Sequence, residues 1–129
     1  MRVLLDTLAF LWWTSEHGKR LSDRARDLLS DASTDAVVSV ASAWEIAIKV
    51  AGGRLEIEGD PEEWVPERIQ RYGFSPMAVA LAHALRAGRL PAIHRDPFDR
   101  LLVAQAQVEG IPIVTSDPAI SRYDIDVIW

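Results

Sequence analysis

The sequence predicts an α/β fold with a mainly parallel sheet, and three observations support this. Short apolar or β-branched runs alternate along the chain with longer segments of helical periodicity. Aspartate followed by proline, a typical helix or turn start, occurs after several of these runs. Glycines stand where the helical periodicity stops. The 129 residues fit one domain, expected to span 1–129.

The first half of the chain contains two predicted strands and three predicted helices. In the order strand, helix, helix, strand, helix, they cover residues 2–5, 8–13, 21–32, 36–40 and 42–51. Ser22 is the expected N-cap of the second helix, and Ser42 is expected to open the third. Gly52 and Gly53 end that third helix.

The second half continues the alternation. Asp60 and Pro61 predict the start of a helix that runs to about residue 72, followed by a short strand near 73–75. Further helices are expected from Ser75-Pro76 to Gly88 and from Asp96-Pro97 to Gly110. Two strands at 111–115 and 126–129, separated by a turn at Asp117-Pro118, complete the pattern.

Composition excludes several classes of protein. The chain has no cysteine, which excludes disulfides and zinc–thiolate sites. No apolar run approaches the roughly 18 residues of a membrane span, and Asp6 interrupts the only stretch resembling a signal peptide. The net charge of −5 weakens a nucleic-acid role without removing it, because basic side chains crowd one stretch. These are Arg86, Arg89, His94, Arg95 and Arg100.

Four acidic residues stand where hydrophobic segments end: Asp6, Glu45, Asp99 and Asp117. Because ligand sites in such sheets form at the carboxyl ends of strands, we expect these side chains to converge. Two like charges about 4 Å apart repel by about 4 kcal/mol near a protein surface, so either a cation must neutralise the cluster or some members must be protonated. Oxygen ligands without cysteine favour Mg²⁺ or Mn²⁺. The pattern indicates a metal-dependent phosphoryl-transfer site, with Thr115 as a supporting hydroxyl.

Three of these acids, and the nearby Asp96, also have a structural explanation. Asp6, Asp96 and Asp117 each precede a predicted helix or turn and are suitable N-caps. Glu45, expected in the first turn of its helix, could pair with Lys49 four residues later. For Asp96 the capping role is favoured and any role in the site is auxiliary. For Asp6 the two roles are compatible, since one oxygen can cap while the other faces a metal.

The remaining candidate residues are assigned to structure. His17, His83 and His94 lack the spacing of metal ligands and are expected in the core or on the surface. The tryptophans are expected in the core, although some could line a groove that binds a partner. They are Trp12, Trp13, Trp44, Trp64 and Trp129.

Taken together, five segments resemble the PIN domain family, specifically the VapC-type toxins of type II toxin–antitoxin pairs. In chain order these are VLLDT, SVASAWEIAIK, HRDPFDRLLVAQA, IPIVTSDPAI and IDVIW, and the third is the most specific. The resemblance covers nearly the whole chain. It places the family's acidic quartet on Asp6, Glu45, Asp99 and Asp117, and a hydroxyl position on Thr115. The chain departs from the pattern at Leu8, where close relatives often have histidine.

The resemblance implies a three-layer sandwich with a mainly parallel central sheet of four to five strands flanked by helices. It further implies a cytoplasmic endoribonuclease that uses Mg²⁺ or Mn²⁺ and a metal-activated water. A homodimer is implied, inhibited by a cognate VapB-type antitoxin in a heterotetramer or larger assembly. Two alternatives remain: a catalytically silent binding module, and a phosphatase with Asp6 as nucleophile. The phosphatase is ranked lower, because no second acid lies two residues after Asp6.

Overall fold

A computed structural model describes residues 1–15 and 18–129 of the chain. The described residues form five strands and six α-helices. The strands are β1 (Arg2–Leu5), β2 (Asp35–Ser39), β3 (Ser75–Met77), β4 (Ile113–Val114) and β5 (Val127–Ile128). The helices are α1 (Thr7–Ser15), α2 (Asp23–Ser30), α3 (Val40–Ala51), α4 (Pro61–Arg71), α5 (Leu81–Arg89) and α6 (Pro97–Glu109), and a 3-10 turn covers Ile120–Arg122.

The five strands form one parallel sheet in the order β3-β2-β1-β4-β5. From β1 in the centre, the chain first builds β2 and β3 on one side and then returns to build β4 and β5 on the other. A crevice therefore opens at the carboxyl ends of β1 and β4, where the strand order reverses. This arrangement confirms the predicted parallel α/β sheet of four to five strands.

Two apolar cores cover the two faces of the sheet. Successive residues of a strand point to opposite faces, so Val3 and Leu5 of β1 join one core while Leu4 joins the other. Helices α1 to α4 contribute to the first core, and α5 and α6 to the second. The result is the expected three-layer sandwich, with the sheet in the middle.

The start of α3 differs from the prediction. The helix begins at Val40, and its N-cap is Ser39, whose hydroxyl accepts a hydrogen bond from the Ala41 N–H at 3.0 Å. Ser42, the predicted opening residue, lies inside the helix and is buried. Ser39 also pairs in register with Met77 of β3, so the chain passes from strand to helix without a loop. Glu45 consequently lies in the second turn of α3, not the first.

The predicted helix start at Ser75-Pro76 is also wrong. Both residues belong to β3, where they pair with Val37 and Val38 of β2. Proline is tolerated there because β3 is an edge strand, and its missing N–H costs no sheet hydrogen bond on the open side. The helix that follows begins only at Leu81.

Four of the five tryptophans have the expected core environment. Trp64 is buried, and Trp12, Trp13 and Trp129 pack against the first core. Trp44 is the exception, because 61% of its surface is exposed on α3. Of the helices that the structure describes, none combines the length and the apolar character needed to cross a bilayer.

Candidate metal centre

A cavity of about 340 Å³ lies at the carboxyl edge of the sheet, and all four predicted acids line it. Asp6 directly follows β1, and Asp117 follows β4, the neighbouring strand. Glu45 reaches the cavity from α3 and Asp99 from the first turn of α6. The structure thus brings together four carboxylates from four separate segments of the chain.

Asp6 is almost fully enclosed, with 6% of its surface exposed. Its Oδ1 accepts a hydrogen bond from the Ala9 N–H at 2.7 Å, which caps α1. Its Oδ2 accepts one from the Thr115 hydroxyl at 2.5 Å. The capping function predicted from the sequence is therefore confirmed, and the same carboxylate still lines the cavity.

The burial of Asp6 makes its negative charge unfavourable. Loss of solvation raises the pKa of this carboxyl to about 6, even though the hydrogen bonds from Thr115 and Ala9 lower it. The charges of Asp117 and Glu45 raise the pKa further. Burial is therefore the main reason that this carboxyl holds its proton, and the neighbouring acids add to the effect.

Glu45 is held by two neighbours and is 5% exposed. The Thr7 hydroxyl donates to its Oε1 at 2.7 Å, and a further hydrogen bond at 2.9 Å joins Thr7 Oγ1 to Ser42 Oγ. The Lys49 ammonium lies 2.6 Å from Oε2, which confirms the predicted pair one helical turn apart. Of the described residues that line the cavity, only Lys49 is basic.

Asp96 and Asp99 both line the cavity, and Asp96 also caps α6, which is the role that the sequence favoured for it. The Asp96 carboxylate caps α6 by accepting hydrogen bonds from the N–H groups of Phe98 and Asp99, at 2.8 and 3.2 Å. Asp99 points into the cavity, and burial raises the pKa of its carboxyl to about 7. The charge of Asp96 adds to this rise, and the neighbouring His94 opposes it.

Thr115 connects the two strand ends beneath the cavity. Its buried hydroxyl accepts the backbone N–H of Asp117 at 3.0 Å and donates its own proton to Asp6. The Asp117 Oδ1 accepts the Ala119 N–H at 2.8 Å, so Asp117 also starts the following turn. One hydroxyl group therefore fixes two of the acids relative to each other.

The prediction for His94 is wrong, because its side chain belongs to the acid cluster. Its Nε2 lies 2.9 Å from Asp117 Oδ2 and 3.0 Å from Asp99 Oδ2. His83 is a core histidine as expected: it is buried, and its Nε2 lies 2.9 Å from Glu109 Oε1. His17 falls outside the described residues. The only sequence signal for His94 was its position two residues before the Asp96-Pro97 helix start.

Arg100, one of the clustered basic residues, is committed to structure. Its guanidinium donates to four backbone carbonyls at 2.8 to 3.4 Å. These belong to Ala87, Leu90, Pro91 and His94, at the end of α5 and in the loop before α6. The side chain therefore ties this loop to α6.

The cavity suits a hard divalent cation. Its wall presents carboxylate oxygens, the ligand type that Mg²⁺ and Mn²⁺ prefer. Burial, together with the neighbouring carboxylates, raises the pKa of Asp6 and Asp99, and a bound cation would favour their charged forms. One possible ligand atom from each of His94, Asp99 and Asp117 lies within 4.8 Å of the other two.

Comparisons with known proteins agree with this architecture. The sequence model of the PIN domain matches residues 3–126. The chain is similar to Ribonuclease VapC22 of Mycobacterium tuberculosis, at 31% identity over 118 residues, which are 89% of this chain and 86% of that protein. It is 38% identical over 61 residues to Ribonuclease VapC16 of the same organism, covering 47% of this chain and 43% of that one.

A solved structure shows the same fold despite low sequence identity. The structure of VapBC2 from Rickettsia felis, bound to a DNA fragment from its promoter, contains a chain that superposes with a TM-score of 0.74. The two chains are 14% identical, and the match covers 100% of this chain and 99% of the other. The chain has its acid cavity where the strand order reverses, and it matches the family model and these relatives. It therefore belongs to the PIN domain family and, within it, to the VapC type.

Proposed function

We propose that this chain is the toxin of a VapBC-type toxin–antitoxin module, a cytoplasmic endoribonuclease that depends on Mg²⁺ or Mn²⁺. The observation that carries the proposal is the convergence of Asp6, Glu45, Asp99 and Asp117 on one cavity. The names of the two curated relatives, both ribonucleases, support RNA as the substrate. A catalytically silent module would have no use for four acids whose mutual repulsion destabilises the cavity.

The four acids would hold the cation. A bound divalent cation supplies positive charge to the phosphodiester and makes a water molecule more acidic. The chain's own contribution is to fix the carboxylate oxygens before the substrate arrives. Thr115 holds Asp6, while Thr7 and Lys49 hold Glu45. Because water is the expected nucleophile, the products carry 5′-phosphate and 3′-hydroxyl ends.

Basic groups around the cavity are the candidates for contacts with the RNA backbone. Lys49 is partly exposed at the cavity wall and carries a positive charge beside Glu45. Arg95 is exposed next to Asp96 and stays a candidate. Arg100 does not fit this function, because its donors are bound to backbone carbonyls.

An apolar groove beside the acid cavity supports an antitoxin as partner. The groove has a volume of about 610 Å³, and its apolar side chains come from α1, α4 and the segment between α3 and α4. They are Leu8, Leu11, Trp12, Leu55, Ile57 and Trp64. Leu8 lines both the groove and the acid cavity, so a segment bound along the groove could extend a basic side chain to the acids. The Rickettsia structure, which is of VapBC2, supports the same partner.

Two exposed apolar stripes support a homodimer. Val40, Trp44 and Ile48 follow one another at one-turn intervals on α3, and Leu81 and Leu85 do so on α5. We propose that the toxin dimerises and forms a heterotetramer or larger assembly with its antitoxin. The mass of the purified chain by light scattering, alone and with antitoxin, tests both associations.

The decisive experiment for the nuclease is cleavage of total RNA by purified protein with Mn²⁺, Mg²⁺ or EDTA. Wild type should cleave with either metal and not with EDTA. Asp99→Asn should lose at least about a hundredfold in rate, since it removes a charge from the site. Asp60→Asn is the matched control, because Asp60 caps α4 through its Oδ1 and does not line the cavity.

The ends of the fragments provide an independent check. A 5′-phosphate supports the attack of water on the phosphodiester. A 2′,3′-cyclic phosphate would show attack by the ribose hydroxyl and overturn the mechanism. Equal activity of Asp99→Asn and wild type would place the nuclease site elsewhere.

A further inference from the structure

The imidazole of His94 lies between two acids that come from distant parts of the chain. Its Nε2 is 2.9 Å from Asp117 Oδ2, after β4, and 3.0 Å from Asp99 Oδ2, on α6. The contact with Asp117 is a hydrogen bond, and Asp99 Oδ2 lies at a similar distance from the same nitrogen. By position alone, the same nitrogen could instead be counted as a metal ligand, because it clusters with the two carboxylates within 4.8 Å.

The other ring nitrogen distinguishes between these two functions. The backbone N–H of Asp96 donates a hydrogen bond to His94 Nδ1 at 3.2 Å. A neutral imidazole carries one N–H, so a ring that accepts at Nδ1 carries its proton on Nε2. Nε2–H is then a donor to Asp117 Oδ2, and Asp99 Oδ2 lies 3.0 Å from the same nitrogen. To bind a metal through Nε2, the proton would have to move to Nδ1, where it would face the N–H of Asp96.

The loop that carries His94 is fixed independently of the acids. The backbone N–H of His94 donates to the Tyr123 hydroxyl at 2.8 Å, and Arg100 donates to the carbonyls of Pro91 and His94. Tyr123 is buried in the second core. The imidazole is therefore held in place by the fold itself, as a group that positions others must be.

We infer that His94 is a positioning residue of the acid cavity and not a metal ligand: its Nε2–H draws the Asp99 and Asp117 carboxylates together so that their other lone pairs face a bound cation. The inference rests on the proposed function only in that a divalent cation binds there. Groups that orient metal ligands in this way typically change metal affinity tenfold to a hundredfold when removed.

The test measures Mn²⁺ binding and not RNA cleavage. Mn²⁺ affinity is measured by electron paramagnetic resonance for wild type, His94→Ala and His94→Gln. The Ala variant removes the donor, and its dissociation constant should rise at least about tenfold. The Gln amide N–H can reach the position of Nε2–H, so His94→Gln should recover most of the affinity. His83→Gln is the matched control: its imidazole pairs with Glu109, and its dissociation constant should equal that of wild type.

Electron spin-echo spectra of Mn²⁺-loaded protein with ¹⁵N-labelled histidine decide between positioning and ligation. If His94 is not a ligand, wild type and His94→Gln should give the same spectrum. No coupling from a directly bound imidazole should be present in wild type and missing in the variant. A coupling that disappears in that variant overturns the inference, since His94 would then be a ligand. Equal affinities of His94→Ala and wild type also overturn it.

The proposed function and this inference fail in different ways. Wild type that binds Mn²⁺ with the expected His94 dependence but cuts no RNA contradicts the nuclease proposal alone. Wild type that binds no Mn²⁺ contradicts both. Circular dichroism and thermal unfolding of each variant confirm that the fold is retained, so that a lost affinity reports the site.

Discussion

At the scale of single residues, the Thr115 hydroxyl connects two acids of the cavity. Its hydroxyl is buried, accepts the Asp117 N–H and donates to Asp6. Valine has nearly the same shape but neither donor nor acceptor, so Thr115→Val leaves a buried N–H and a buried carboxylate without their partner. We expect at least about a tenfold loss of Mn²⁺ affinity.

The conservative variant makes this prediction specific. Thr115→Ser keeps the hydroxyl and should bind Mn²⁺ within a few-fold of wild type, as measured by isothermal titration calorimetry. If Thr115→Val and Thr115→Ser bind equally well, the hydroxyl does not position the acids. Circular dichroism should show the same helix content in both variants.

The sequence predicted that these acids converge, but it did not predict which residues surround them. Asp6 and Asp117 each follow an apolar strand, so their meeting follows from parallel strands alone. The place of His94 did not follow, because its contacts depend on the path of a loop fixed by Tyr123 and Arg100. Neither anchor has a local signal, since both side chains contact backbone groups of another segment. The catalytic and metal-binding functions of the acids stay predictions.

At the scale of elements, Arg100 links α6 to the end of α5 and to the loop between them. A hydrogen bond that involves a charged group makes a net contribution of about 1.5–3 kcal/mol to stability. We expect Arg100→Ala to lower the free energy of unfolding by about 2 kcal/mol, because four carbonyls lose a donor. Urea unfolding monitored by tryptophan fluorescence measures the change.

Arg95 offers the matched control for this prediction. It has the same charge and lies just before α6, in the loop that Arg100 contacts, but it is exposed. Arg95→Ala should change stability by less than about 0.5 kcal/mol. Equal effects of the two substitutions would mean that charge in this region matters and the carbonyl contacts do not.

Element starts were predictable where the local chemistry was strong. Asp60-Pro61 and Asp96-Pro97 begin α4 and α6 as expected, because a cap and a fixed proline angle act locally. Ser75-Pro76 has a similar signal but lies in β3, because pairing with Val37 and Val38 outweighs it. At such a position, long-range pairing decides and a local pattern cannot.

At the scale of the whole molecule, the acid cluster lowers stability in the absence of metal. The pKa of Asp6 rises to about 6 and that of Asp99 to about 7, above the ordinary value of 3.8. Folded protein therefore keeps protons that unfolded protein releases. The stabilisation by these retained protons is complete below about pH 4 and is lost as pH rises through 6 and 7. We expect this cluster to lower the melting temperature of protein in EDTA across that range.

Asp99→Asn tests this expectation, since it removes a titrating charge while keeping an oxygen acceptor. In EDTA at pH 8 the variant should be more stable than wild type by about 1 kcal/mol or more, a rise of several degrees. Near pH 4 the two should unfold at similar temperatures. Saturating Mn²⁺ should stabilise wild type more than the variant. A variant less stable than wild type in EDTA at pH 8 would contradict the prediction.

The class of the fold could be predicted from the sequence, but the order of the strands could not. Alternating strands and helices gave the parallel sheet, and the resemblance to the PIN family gave the three layers. The strand order follows no local rule, since β1 pairs with β2 and β4 across very different lengths of chain. The exposed face of α3 around Trp44 also escaped prediction, because composition does not show which apolar side chains stay uncovered.

The hydrogen bond between Thr115 and Asp6 spans 109 residues of chain. A ribosome makes Asp6 before the partners that β4 and the turn after it supply, and it adds Thr115 only 109 residues later. A nascent chain that stops before Thr115 therefore lacks part of the acid cavity. If the cavity cuts RNA as proposed, the messenger being translated is protected from its own product until synthesis has passed this point.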